Sequence, residues 1–373
     1  MDYYTHDFEP SVPRPPARQK GFGRLFLAAI LGGSVALAGS FGLGVLTNAE
    51  EPIAVADSTP AVEARPAVFM GDDYTPAAVG EAVVPAIVTV QVGSQTRTGV
   101  LAQGSGVIID PSGYIVTNDH VAGGADSIRV VLADGRIYEA TLLGTDPVTD
   151  LAVLAIDAEN LTAVDFGSTD GMRVGETAIA VGNPLGLDGG PSLTVGVLSA
   201  FGREVRTSAT SVLYGMLQTD APITQGSSGG ALVDGAGRLI GITTAVGVSE
   251  VGIEGIGFAT PIEIVERVVS DIVDRGAVAH GLLGINGSTD FVELADGGSR
   301  PTGVVIDAIE AGSAADTAGL RLGDVITAVE GTGVDTMDEL ISALRRLGAD
   351  DLVLVEIERN GARLEVSATL GTL

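Results

Sequence analysis

The chain has 373 residues, enough for two or three domains with a sizeable core. Its 20 basic and 48 acidic residues leave a formal net charge of −28, which argues against nucleic acid as a partner, because phosphate binding needs a basic footprint. There is no cysteine, so disulfides, thiolate metal sites and cysteine nucleophiles are excluded; the three histidines, His6, His120 and His280, are too few for a His-rich metal site, and no metal or other cofactor is expected.

Residues 1–24 are polar and proline-rich, with basic Arg14, Arg18, Lys20 and Arg24. Leu25 to Asn48 then runs without a charge, a length that spans a bilayer as a helix, for which about 20 apolar residues suffice. The basic cluster on the N-terminal side makes 1–24 a cytoplasmic tail and places the remainder outside the cell membrane. A single transmembrane anchor over 25–48 is therefore expected. The alternative is a cleaved signal peptide, with Ala36-Leu37-Ala38 resembling a cleavage site; against it, the leading region is long and partly acidic (Asp2, Asp7, Glu9) and the apolar run continues past Ala38. Residues 49–73, rich in Ala, Pro and acid without a period, read as a flexible linker. A short helix is predicted from Pro76 to Val84.

From Ala86 the chain becomes short β-branched runs separated by Gly, Asp and Pro, such as IVTVQV (87–92), GVIID (106–110), YIVTN (114–118), IRVVLA (128–133), LAVLAI (151–156) and TAIAVG (177–182). The pattern returns in LTVGVLSA (193–200), VLYGMLQT (212–219), GALVD (230–234), RLIGITTA (238–245) and GIGFATP (255–261). Short strands over this length fit one or two β-barrels, closed by an apolar-periodic helix over Ile262–Arg275.

Three residues in this region can make one chemistry. Gly226-Ser227-Ser228-Gly229-Gly230 offers a tight turn in which a serine hydroxyl and neighbouring N–H groups converge on one carbonyl, the requirement of acyl transfer. A bare Gly/Ser run is more often only a loop, so the base matters. His6 lies before the apolar segment and His280 at a domain junction, whereas His120 follows a strand and the turn-like Thr117-Asn118-Asp119. Asp150 immediately precedes the buried-looking LAVLAI and is the candidate orienting carboxylate; Asp146, its nearest competitor, reads as an ordinary Asp-Pro turn. The order His120, Asp150, Ser228 is that of chymotrypsin-type enzymes. Gly226-x-Ser228-x-Gly230 also matches a hydrolase nucleophile elbow, but ALVDGAGRLIGI reads as a β-hairpin rather than the strand–turn–helix that motif needs.

With these residues in place, the sequence resembles the HtrA/Deg family of trypsin-like serine proteases. GSGVIIDPSGYIVTNDHV (104–121), DPVTDLAVLAI (146–156), VGNPLGL (181–187) and TDAPITQGSSGGALV (219–233) carry the resemblance, which runs from about Tyr74 to the C-terminus. It implies two six-stranded β-barrels over 74–275, with His120 as base, Asp150 as its orienter, Ser228 as nucleophile, and the backbone amides of Gly226 and Ser228 as the oxyanion hole. Ser227 and Pro222 depart from the usual residues. By position, Ile223, Val246 and Gly247 match the lining of the family's primary specificity pocket; without charge there, cleavage after small or medium aliphatic residues is expected.

From Gly281 the pattern changes to LLGI, GVVIDAI (303–309), the helix DTMDELISALRRL (335–347) and two alternating strands joined by Asn360-Gly361, a strong hairpin signal. Residues 281–373 resemble a PDZ domain (α+β) of the bacterial, circularly permuted kind. Leu283, Gly284 and Ile285 resemble its carboxylate-binding loop, where backbone N–H groups hold a peptide's C-terminus. The resemblance implies a mainly β protein: a membrane-tethered, extracytoplasmic serine endopeptidase that processes misfolded or signalling envelope proteins. It also implies control by peptides at the PDZ domain, and a homotrimer to which Phe69, Met70 and Tyr74 contribute. The alternative is a peptide-binding sensor or chaperone with a vestigial protease module.

Overall fold

The computed structural model describes residues 75–94, 97–183, 190–207, 211–244 and 255–373. The anchor expected over 25–48, the linker 49–73, and Phe69, Met70 and Tyr74 lie outside them, as do Val246 and Gly247. Among the described residues no helix is long and apolar enough to cross a membrane.

Helix α1 (Pro76–Val83) starts where Thr75 accepts a hydrogen bond from the Ala78 amide through its side chain, with Pro76 in the first turn, where its missing N–H costs nothing. It ends one residue earlier than expected and passes into a 3₁₀ turn over Val84–Ala86, because Pro85 has no N–H to continue the helical ladder.

Two closed six-stranded barrels follow. The first contains β1 (Ile87–Ser94), β2 (Arg97–Ile108), β3 (Tyr114–Thr117), β4 (Ser127–Val131), β5 (Ile137–Asp146) and β6 (Leu151–Ala155), in the order β1-β2-β3-β6-β5-β4. A one-turn helix, α2 (Asp119–Ala122), follows β3. The second barrel contains β7 (Thr177–Gly182), β8 (Ser192–Arg206), β9 (Val212–Thr219), β10 (Ala231–Val233), β11 (Leu239–Thr244) and β12 (Gly257–Pro261), in the order β10-β11-β12-β9-β8-β7. The uninterrupted apolar runs have a physical reason. In β6, Ala152 and Leu154 fill the first barrel, while Leu151 and Val153 point the other way, into a cluster shared with Ile179, Val181, Ala231 and Val233 of the second. A strand buried on both faces has no polar side to alternate with.

That shared cluster is sealed by α3 (Ile262–Arg275), which buries Ile262, Ile264, Val265, Val268 and Ile272. Gly276 ends the helix in the left-handed region (φ 76°) and its amide returns to the Ile272 carbonyl at 2.8 Å.

The C-terminal part is an antiparallel sheet in the order β14-β15-β16-β18-β19, formed by β14 (Ile285–Glu293), β15 (Ser299–Ile309), β16 (Val325–Val329), β18 (Leu352–Arg359) and β19 (Ala362–Thr369). A short β17 (Thr332–Gly333) pairs with β16, and β13 (Gly281–Leu282) pairs with β20 (Gly371–Thr372). Helices α4 (Ala314–Ala318) and α5 (Met337–Arg345) cover its core. Asn360 and Gly361 both take positive φ (53° and 78°) between paired Arg359 and Ala362, as the hairpin signal required. All described residues belong to one compact unit, and α5 rests on β9, where Ser342 lies 3.5 Å from the point a side chain on Gly215 would occupy.

Candidate active site

Strand β3 delivers Asn118 and then the α2 turn that carries His120, whose side chain is 38% exposed. Asp150 comes from the loop between β5 and β6, where Asp146 pairs with Leu151 and four residues remain to turn the chain. It holds φ at 58°, a left-handed conformation that Asp tolerates better than most residues. Asn118 Nδ2 donates to the Asp150 carbonyl at 2.8 Å and the His120 amide donates to Asp150 Oδ1 at 3.0 Å, so neighbouring groups hold that strained residue. His120 Nδ1 lies 2.8 Å from Oδ2 and 3.0 Å from Oδ1 of Asp150. Acidic Oδ atoms can only accept when ionised, so Nδ1 carries the proton and Nε2 is left as the basic nitrogen. Thr244 Oγ1, from the second barrel, donates to Asp150 Oδ2 at 3.3 Å. Burial, and then the charge of Asp150, push the half-buried Asp119 carboxyl above its ordinary range.

The turn before β10 carries Gly226 to Gly230. Gly226 and Gly229 have φ of 91° and 84°, and a Cβ on Gly229 would lie 2.2 Å from the Ser105 carbonyl oxygen and 2.4 Å from Thr117 Oγ1. Both glycines are thus required by the turn itself. Ser228 is 6% exposed, and its carbonyl accepts from the Ser105 amide of β2 at 2.8 Å, which seats the turn on the first barrel. The Ser105 hydroxyl donates to the Gly226 carbonyl at 2.8 Å and accepts from the Asn183 amide at the same distance. Thr243 Oγ1 donates to the Ser227 carbonyl at 2.7 Å. With its carbonyl held back in this way, Gly226 is buried while its N–H donates to no group among the described residues. A buried amide kept unpaired is a donor reserved for an incoming oxygen.

The structure therefore brings together the expected His120 and Asp150 in direct contact, with the Ser228 turn bonded to the barrel that carries them. Ile223 is half-buried beside Gly257, whose Cβ would meet Ile223 Cδ1 at 2.6 Å. Ser105 and Thr244 were not read from the sequence as site residues. Their one signal is a hydroxyl inside runs otherwise destined for burial: Ser105 is 0% and Thr244 1% exposed. Asp146 is not the ordinary turn residue it reads as, because it is 3% exposed and paired with His280.

In the C-terminal domain Leu283 is buried in the core, and Gly284 (φ 77°) packs so close to Ser313 that a Cβ would sit 2.3 Å from the serine Cβ. The amides of Leu283 and Gly284 make no hydrogen bond among the described residues, and Ile285 opens β14, the terminal strand of its sheet. Two unpaired amides at the head of an open edge can take a carboxylate and then an added strand.

Residues 104–242 match the family model of a trypsin-like peptidase domain, and residues 281–370 match that of a PDZ domain. The chain is 38% identical over 270 residues to a probable periplasmic serine endoprotease DegP-like of Chlamydia pneumoniae, spanning 72% of this chain and 54% of that protein. It is 38% identical over 274 residues to the periplasmic serine endoprotease DegP of Escherichia coli strain K12, spanning 72% of this chain and 57% of that protein. This chain thus covers little more than half the length of these curated relatives. Among solved structures, the HtrA-type protease AlgW with tripeptide is 36% identical, with a TM-score of 0.63, over 80% of this chain and 97% of that one.

Proposed function

This chain belongs to the HtrA-type family of trypsin-like serine proteases, and from that premise we propose that it is an extracytoplasmic serine endopeptidase in which His120, Asp150 and Ser228 carry the reaction. The observation that supports this most directly is the paired His120–Asp150 contact on the barrel to which the Ser228 turn is bonded, a turn whose Gly226 amide makes no hydrogen bond among the described residues. In this reading Ser228 Oγ attacks the scissile carbonyl carbon and passes its proton to His120 Nε2. The carbonyl oxygen becomes an oxyanion held by the amides of Gly226 and Ser228. His120 returns the proton to the leaving amine, the C–N bond breaks, and water repeats the sequence to release the acid. Asp150 holds the tautomer and offsets the charge of the imidazolium. Replacing Ser228 or His120 by Ala is expected to lower kcat on a fluorogenic unfolded protein by roughly 10⁴. Labelling of the wild type by a fluorophosphonate, absent in Ser228→Ala, checks the nucleophile; wild-type hydrolysis by His120→Ala would refute the assignment.

The finer parts of the reading are these. The amides of Leu283 and Gly284, without a hydrogen bond among the described residues, and the edge position of β14 support a site for peptides with a free C-terminus. Peptides ending in an apolar residue should raise turnover of an unrelated substrate, and C-terminal amidation should abolish the effect. Ile223, with Val246 and Gly247, sets a preference for Val, Ala or Leu before the cleaved bond, which a peptide-library profile measures. Anchoring through residues 25–48, a trimeric assembly and action on misfolded or signalling envelope proteins complete the proposal. The periplasmic naming of the relatives supports the compartment. Sedimentation of the detergent-solubilised full chain tests the trimer.

A further inference from the structure

Among the buried ionisable residues that the reaction does not use is a group beside the Asp150 loop. Asp146 and His280, 134 residues apart in sequence, meet in the interior with His280 Nε2 2.9 Å from both carboxylate oxygens. Their side chains are 4% and 5% exposed. On the other side of the ring, Arg267 Nη2 of α3 lies 2.8 Å from His280 Nδ1. A guanidinium has only hydrogens to offer, so Nδ1 accepts, the ring proton resides on Nε2, and that proton is donated to Asp146. Arg267 also donates to Asp271 at 3.2 Å and to the Arg345 carbonyl, at the end of α5, at 3.3 Å. Burial by itself would raise the Asp146 carboxyl, but the hydrogen bonds from His280 and Thr149 outweigh it and hold it below the usual carboxylate range.

Asp146 also organises the loop that ends in Asp150. Its Oδ1 accepts from the Val148 amide at 3.2 Å and its Oδ2 from Thr149 Oγ1 at 2.5 Å. Thr149 is the residue immediately before Asp150, whose left-handed backbone has to be held from outside. His280 in turn bridges to Gly348, and the Gly281 amide donates to the Leu347 carbonyl, so the backbone that carries the ring is held by the C-terminal domain while the ring itself is held by Arg267 of α3.

We propose that Asp146 and His280 are positioning residues for Asp150, tying the setting of the carboxylate that orients His120 to the seating of the PDZ domain. The inference rests on the assignment of His120, Asp150 and Ser228 above. Loss of the His280 donor would leave Asp146 buried without its main partner, release Thr149, and let Asp150 drift from His120; small misplacements of a reacting group cost up to about 10²-fold in rate.

The experiment compares full-length wild type with His280→Ala, His280→Gln and Asp146→Asn on a short fluorogenic peptide, with thermal melts alongside. His280→Ala is expected to lower kcat by about tenfold or more with KM within about twofold, because the peptide's own contacts are untouched. His280→Gln retains an N–H toward Asp146 and should recover most of the rate. The downfield proton resonance of His120 Nδ1–H, detected by NMR, should shift or vanish in His280→Ala and return in His280→Gln. Asp146→Asn, which puts an amide NH2 where one of the two accepting oxygens stood, is expected to lower kcat and move the resonance as His280→Ala does, and it decides by the same readouts if His280→Ala does not fold. Wild-type kcat or an unmoved resonance in folded His280→Ala or Asp146→Asn, or a change confined to KM in them, would overturn the proposal. Absence of Ser228-dependent hydrolysis in the wild type would instead strike the underlying assignment, so the two failures are distinguishable.

Discussion

Ser105 shows how much of the site depends on one hydroxyl outside the three reacting residues. It binds the turn through its amide and side chain and also receives the Asn183 amide. Ser105→Ala would leave the Gly226 carbonyl and Asn183 N–H unpaired in a buried place, at about 2 to 4 kcal/mol of stability, and would free the Gly226 peptide to rotate. Chemical denaturation and acylation rate should fall together; a loss of stability without slower acylation would separate Ser105 from the site. Gly229→Ala places a methyl on two oxygens at a positive φ, and the expected outcome is loss of the folded turn and of fluorophosphonate labelling. The nucleophile motif was legible because glycine is needed for the turn. Ser105 was not, because nothing in a strand pattern says which hydroxyl meets a loop 121 residues later.

At the scale of elements, the strands were legible as apolar β-branched runs, and their burial on two faces explains why they lack alternation. Helix ends were less so. The expected helix over 335–347 begins at Met337, because Thr336 accepts from the Glu339 amide and Glu339 reaches back to the Thr336 amide in a capping box. Removing the cap with Thr336→Ala should cost about 1 kcal/mol. Since α5 rests on β9, the same variant should weaken the union of the two domains, read as faster amide exchange in Val212–Thr219 as well as in α5. Exchange confined to α5 would show that the helix frays without loosening the contact.

For the whole molecule, the charge of −28 makes acid sensitivity informative, and individual carboxylates contribute with opposite signs. Asp324 is 1% exposed; burial would raise its carboxyl, but the hydrogen bonds from Arg359 and the Arg321 amide outweigh this and lower it. A depressed carboxyl stabilises the fold fully above its ordinary value of 3.8, and the contribution is lost as pH falls through the lower native value. Asp324→Asn should therefore lower the Tm at pH 7 and flatten the decline below pH 3.8. Asp119 is raised, so its ionised form opposes folding once pH exceeds the native value. Asp119→Asn should raise the Tm at pH 7 and leave it nearly unchanged below pH 3.8. Equal shifts at both pH values would mean that neither effect is electrostatic.

The sequence by itself determined the kinds of local structure and the chemical candidates: β-branched runs between turn residues, a glycine-bounded serine, a histidine after a strand, an aspartate at the head of a buried run, and Asn360-Gly361 as a hairpin. These are written in patterns spanning a few residues, where backbone preference and periodicity act. Tertiary structure decided which of those groups meet. Barrel closure carries Asp150 across 30 residues to His120, seats the Ser228 turn on Ser105, and makes His280, at the domain junction, the buried partner of Asp146. A lone polar residue carries no mark of its distant partner, because the energy that commits it arises only when burial removes both from water.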